Sequence, residues 1–302
     1  MKPSLIPFGA AAAALLAVVV ALPSDGLFSA DSGPKYWQTW AFAEGDGIPR
    51  TFEYPAHALD PRFVHVPAFT VGVNGRLASI YPVLFPLLSA GPVALFGDRA
   101  LRLVPWLSAL AAAWAAGLVA SSLRGRDVTG GVAAMVLAAT PLAFYSVTFW
   151  EHSLAALLVV AGILSVVGRR PENPIRWWRW ALFGLLIGAG AWVRTEVGFL
   201  APVVLLVILI GPRRRRLGLA VAGAAGVVAG AAIGGVVQFL CLGRWLPLHV
   251  TYHAAPTFHN QPFLWSRLES VLRFLAPHWS CGLAVLVWVL ALAVVLTGMA
   301  SH

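Results

Sequence analysis

Apolar blocks recur from end to end of this 302-residue chain, and most of them reach the length of about 17–25 residues that a helix needs to cross a bilayer. The first covers residues 5–22, and others follow at 101–123, 128–149, 153–168, 217–240 and 282–299. A soluble domain carries about 25% charged residues. Here 11% are charged and 59% are hydrophobic, with a mean hydropathy of +0.80, so lipid is the solvent this composition suits. The expected fold is an all-α membrane protein, a polytopic helical bundle of about eight transmembrane helices forming a single domain over residues 1–302.

The formal net charge is +9, and its distribution decides what it means. Lys2, Arg124, Arg126, Arg169, Arg170, Arg176, Arg179 and the run Arg213 to Arg216 all fall on one side of the spans. Those eleven cations face only Asp127 and Glu172 there, which accounts for the whole excess of nine. The positive-inside rule makes that side the cytoplasm and leaves no need for a nucleic-acid partner. Block 5–22 is longer than the h-region of about 7–15 residues found in a cleaved signal peptide, which favours a retained helix.

The same rule divides residues 180–210. A single span would carry the Arg213 to Arg216 cluster outward, whereas two short spans, 180–193 and 197–210, keep it in the cytoplasm. At about 1.5 Å per residue, each short span covers about 20 Å of a hydrocarbon core about 30 Å thick. The turn Arg194-Thr195-Glu196 is therefore expected to lie below the outer surface, within protein.

Two long segments remain outside. Residues 24–100 form a periplasmic first loop rich in Pro, Gly and aromatics, in which residues 35–44 (KYWQTWAFAE) read as a short helix lying on the membrane surface. Residues 81–96 are apolar but carry Pro82, Pro86 and Pro92, the pattern of a re-entrant or surface-lying helix. The second periplasmic loop covers 241–281. The Gly/Ala-rich block 217–240 is suited to close helix packing. No repeat of fixed period occurs.

Three acids reach the outer face in this topology: Asp31 in the first loop, Glu151 between the third and fourth spans, and Glu196 in the sunken turn. Lys35, Arg194 and His152 accompany them. Ionisable groups at membrane depth are costly, so they are usually paired, functional or both. Each also has a plain reading. Asp31 would be an ordinary loop carboxylate, Glu151-His152 the cap of a helix, and Arg194 with Glu196 a structural ion pair. His249, His253, His259 and His278 match no standard metal spacing, and interfacial polarity explains them better. No CxxC, HExxH or phosphate-loop pattern is present, and Cys241 and Cys281 read as buried thiols before a disulfide. No cofactor is signalled. A divalent metal is compatible with acids near phosphate but not called for.

The order of features resembles a known group. A membrane helix, an outer loop opening on an acid, Tyr81-Pro82-Val83-Leu84-Phe85, then Phe96-Gly97, Leu101-Arg102-Leu103 and the turn Arg194-Thr195-Glu196 resemble the GT-C superfamily of polyprenyl-phosphate-sugar glycosyltransferases. The nearest branch is the protein-mannosyltransferase and aminoarabinose-transferase-like (family 39-like) group, and the likeness covers residues 1–215. The resemblance implies a polyprenyl-phosphate-linked sugar donor, a lipid, glycan or protein acceptor, and a site on the periplasmic face of a bacterial cytoplasmic membrane. It makes Asp31 the catalytic base and assigns Arg194 and Lys35, with Arg102 behind them, to the phosphate. Glu151, Glu196 and His152 then orient those cations or bind sugar hydroxyls, and Trp37, Trp40 and Tyr81 stack on sugar or lipid, a role that interfacial anchoring explains equally well. Members of the group are longer, with more spans and often a soluble outer domain, so the chain is expected to be a shortened or minimal form. The rival classes are a multi-pass transporter or lipid flippase, with charges lining a path through the bilayer, and a non-catalytic membrane scaffold.

Overall fold

The computed structural model describes residues 5–23, 29, 31–45, 51–62, 69–73, 75–167, 176–202, 216–245 and 248. The fold is predominantly helical. In chain order the helices are α1 (Leu5–Ala21), α2 (Ser32–Glu44), α3 (Leu84–Phe96), α4 (Leu103–Arg124), α5 (Thr129–Ala139), α6 (Leu142–Val147), α7 (His152–Val166), α8 (Trp177–Ala191) and α9 (Arg216–Leu242). Helix α4 and residues Leu217–Leu242 of α9 are long and apolar enough to cross a membrane, and 39% of each apolar window is buried inside the molecule. Their remaining surface, with Leu118, Val221, Val228 and Ile233, faces outward. The last span expected from the sequence, residues 282–299, and most of 197–210 lie outside the described residues, as do the four loop histidines and Cys281. Cys241 is buried.

Neighbouring helices pack in series: α1 on α5, α5 on α4, α4 on α7, α7 on α8 and α8 on α9. The α8–α9 seam is the tightest. A Cβ at Gly184 or Gly188 would overlap the carbonyls of Gly223 or Val227, and one at Gly226 or Gly230 would overlap those of Ala181 or Leu185. Glycines four residues apart thus form matching stripes on both helices, which lets the backbones touch. A core of Phe85, Leu101, Phe149, Leu154, Phe183 and Ile187 joins α3, α4, α7 and α8.

Two expectations need correction. The first loop is not purely helical. Beside α2, which starts at Ser32, it holds an antiparallel hairpin of β1 (Thr70–Val73) and β2 (Arg76–Ser79), with Val73 opposite Arg76. Gly75 has φ of +80°, a conformation that favours glycine. Phe52 adds an isolated bridge to Leu77. Block 128–149 is also not one continuous helix, because it breaks between α5 and α6 at Thr140-Pro141. Pro141 has no N–H to donate, and the residue before a proline is pushed to extended backbone, as Thr140 is at φ −124° and ψ 167°. Thr140 Oγ1 heals both ends, donating to Val136 O at 2.6 Å and accepting from Leu142 N–H at 3.2 Å.

The loop elements gather at one end of the bundle. Arg102, at the start of α4, donates to the carbonyls of Leu22 and Pro23 at the end of α1, at 3.3 and 2.6 Å. Ser32 at the start of α2 donates to Phe149 O at 3.3 Å. The segment leading into α3 meets the last turns of α9 through Val83 and Gln238, and Phe42, Ile80, Val83, Leu242 and Leu248 pack together there.

Candidate functional site

The acids and cations singled out in the sequence meet at that end. Asp31 and Glu151 each occupy the residue preceding a helix, α2 and α7, yet neither side chain caps it. The Glu151 carboxylate is spent elsewhere, so the capping explanation for it does not hold. Glu151 Oε2 accepts from Lys35 Nζ at 2.6 Å, and Glu151 Oε1 lies 3.9 Å from Arg194 Nη1. Arg194 then donates through Nη2 to Glu196 Oε1 at 2.6 Å and through Nη1 to the His152 ring. Imidazole can accept that bond only at an unprotonated nitrogen. Arg194 follows α8 in extended backbone before a short 3-10 turn at Thr195–Phe199, which brings Val197 back against Gly190.

Tyr81 links the other half of the site. Lys35 Nζ stands 4.1 Å from the centre of its ring, a cation–π contact, and the Asp31 carboxylate lies beside its hydroxyl. Burial raises the Tyr81 pKa above the usual tyrosine range. The adjacent Asp31 carboxylate raises it further through its charge and its hydrogen bond. Tyr81, Lys35, Glu151, Arg194, His152 and Glu196 are thus one connected chain of contacts, with Asp31 beside the Tyr81 hydroxyl. Exposure divides it. The Lys35 and Glu151 side chains are 3% and 9% exposed, whereas that of Arg194 is 27% exposed and Asp31 is partly open.

A cavity of about 320 Å³ adjoins this chain. Small apolar side chains wall it, Ala112 and Ala116 from α4 and Ala156 and Val160 from α7, while Tyr145, His152 and Arg194 give it a polar edge. No family model, curated protein or solved structure matches the chain.

Arg102 is placed away from the position expected of it. Its guanidinium is buried and donates to the end of α1. Trp40 is also occupied, its Nε1 donating to Asp98 Oδ1 at 2.8 Å, whereas Trp37 is exposed. The sequence reading missed the aromatic support of His152. Tyr145 stacks on its ring at 4.1 Å and Trp150 at 5.0 Å, and Trp150 Nε1 donates to Ser29 Oγ at 2.9 Å. A Tyr-x4-Trp-Glu-His cluster at the end of a span was the available signal. Among the described residues, no three His, Cys, Asp or Glu side chains group as a metal site.

Proposed function

We propose that the chain is an inverting glycosyltransferase, an eight-span protein of a bacterial cytoplasmic membrane. It moves a sugar from a polyprenyl phosphate to an acceptor hydroxyl on the periplasmic face. One observation carries this reading: a partly open carboxylate, Asp31, and a partly open guanidinium, Arg194, are tied through Tyr81, Lys35 and Glu151 into one site beside an apolar cavity. The bundle's outward apolar surface supports the membrane setting.

The chemistry needs a base at one end and an anion holder at the other. Asp31 takes the proton of the acceptor hydroxyl while its oxygen attacks the anomeric carbon. The bond from that carbon to the phosphate oxygen breaks, and its electron pair leaves on the polyprenyl phosphate. Arg194 grips the departing oxygens, for which a planar guanidinium is well matched. The first isoprene units then lie along the alanine-walled cavity that ends at Arg194 and His152. Lys35 is too enclosed to meet the phosphate itself. It neutralises Glu151 and braces the Tyr81 ring, and Glu151 in turn aims Arg194.

The deciding experiment supplies membranes with polyprenyl-phosphate hexoses carrying a labelled sugar. Transfer of label by the wild type and its loss in Asp31→Asn, with insertion intact, is the expected result. Full transfer in Asp31→Asn removes the base assignment. Movement of labelled lipid across the bilayer without transfer selects the flippase class.

A further inference from the structure

Two glutamines, Gln38 on α2 and Gln238 on α9, are completely buried, each 0% exposed. A buried amide costs free energy unless it makes hydrogen bonds, and on an apolar helix such as α9 it calls for a reason. Both commit an oxygen to the same short segment. Ser79 N–H donates to Gln38 Oε1 at 3.2 Å, and Val83 N–H donates to Gln238 Oε1 at 3.3 Å.

Between these two bonds, Ile80 N–H donates to Phe69 O at 3.0 Å and Tyr81 N–H to Ser79 Oγ at 3.3 Å, while residue 82 is a proline. Every backbone donor from 79 to 83 is therefore committed, and the two outermost go to side chains 41 and 155 residues away. Gln238 Nε2 has no acceptor among the described residues, so the bond to Val83 is what that buried amide secures there. Tyr81 sits at the middle of the segment. Helix α2 carries Lys35 and Gln38 and is preceded by Asp31, so one bond ties the segment to the helix that Tyr81 must face. The other ties it to the last turns of α9.

We propose that Gln38 and Gln238 are positioning residues that clamp the backbone on both sides of Tyr81 and thereby set its ring on Lys35, with its hydroxyl facing the start of α2. The catalytic consequence rests on Asp31 acting as the base; the clamp itself does not. Amide hydrogen exchange and kinetics on the purified full chain separate the two. In Gln238→Leu and Gln38→Leu, exchange across 79–83 is expected to rise about tenfold, the scale of one lost hydrogen bond. Label transfer from undecaprenyl-phosphate hexose falls by a similar factor in kcat, with KM for the donor unchanged. Gln238→Glu keeps an acceptor oxygen and restores both, which guards against a leucine variant that merely misfolds. The double variant Gln238→Leu/Tyr81→Phe is expected to be no slower than Tyr81→Phe alone.

Unchanged exchange in both leucine variants overturns the clamp, and fully additive losses in the double variant overturn its action through Tyr81. If the wild type transfers no sugar, the glycosyltransferase reading fails by itself. An alkaline absorbance titration of Tyr81, taken against Tyr81→Phe, then reads how far its hydroxyl stays buried beside Asp31, without substrate. Earlier ionisation in Gln238→Leu upholds the clamp, and an unchanged titration overturns it.

Discussion

Lys35 and Glu151 stand 116 residues apart in the chain and 2.6 Å apart in the fold, with 3% and 9% of their side chains exposed. Removing one member of such a buried pair leaves an uncompensated charge, at a cost of about 3–5 kcal/mol, whereas replacing both by apolar groups is often neutral. We predict that Lys35→Met and Glu151→Leu each destabilise the protein by that amount and that the double variant recovers most of it. Unfolding in detergent measures all three. A double variant no more stable than the singles would mean that the pair is not a unit. Recovered stability should not bring recovered transfer, because Glu151 also aims Arg194.

Of the two cations on Glu151, Arg194 is the more open, with 27% of its side chain exposed against 3% for Lys35. Arg194→Lys keeps the charge but loses the planar fork that serves Glu151, His152 and Glu196 together. We predict a fall in kcat of about 10²-fold or more, the scale seen when one preorganised donor to a developing charge is removed. Arg102→Lys should instead leave transfer near wild type, because Arg102 serves the end of α1. Equal losses in the two variants would count against the assignment.

Tyr81 makes a prediction in alkali. Burial, then the charge and hydrogen bond of Asp31, raise its pKa in the folded state. A raised folded pKa contributes stability that is fully present below the unfolded value of about 10 and is lost as pH rises through the folded pKa. Wild-type stability should therefore decline above about pH 10 relative to Tyr81→Phe, and the Tyr81 phenolate signal should appear late in an absorbance titration. A phenolate signal at the ordinary tyrosine position would contradict the burial of Tyr81 beside Asp31.

These contacts also mark what could be read in advance. Charged residues stand out in apolar sequence, so Glu151, Arg194 and Glu196 were legible as costly and therefore meaningful. The positive-inside asymmetry then put them on one face with Asp31 and Lys35. Which cation stays open was not legible, because exposure depends on how α2 lies against the Phe149–Glu151 turn. The bonds of Arg102 to the end of α1 were not legible for the same reason: a guanidinium beside an apolar helix looks alike whether it holds a ligand or a helix end. Hairpin β1–β2 was missed although Asn74-Gly75 between short apolar runs is a strong turn signal. The break at Thr140-Pro141 carried its own mark in the proline, but span length does not register a kink that a threonine can repair.

The two-sided arrangement can be tested directly by labelling from each side of the membrane. Lys35 and Arg194 meet on Glu151, so the start of α2 and the turn after α8 lie at the same end of the bundle. The link between α4 and α5, with exposed Arg126, sits beyond the far end of α4, a helix of 22 residues. At about 1.5 Å per residue, α4 is about 33 Å long, enough to cross the hydrocarbon core. With Cys241 and Cys281 replaced, we predict that single cysteines at Trp37 and Thr195 react with an impermeant thiol reagent added to the periplasmic side. One at Arg126 should react only after the cytoplasmic side is opened. Trp37 and Thr195 labelled from opposite sides would break the site apart. Trp37 and Arg126 labelled from the same side would show that α4 does not cross, and with it the periplasmic placement of Asp31 would fall.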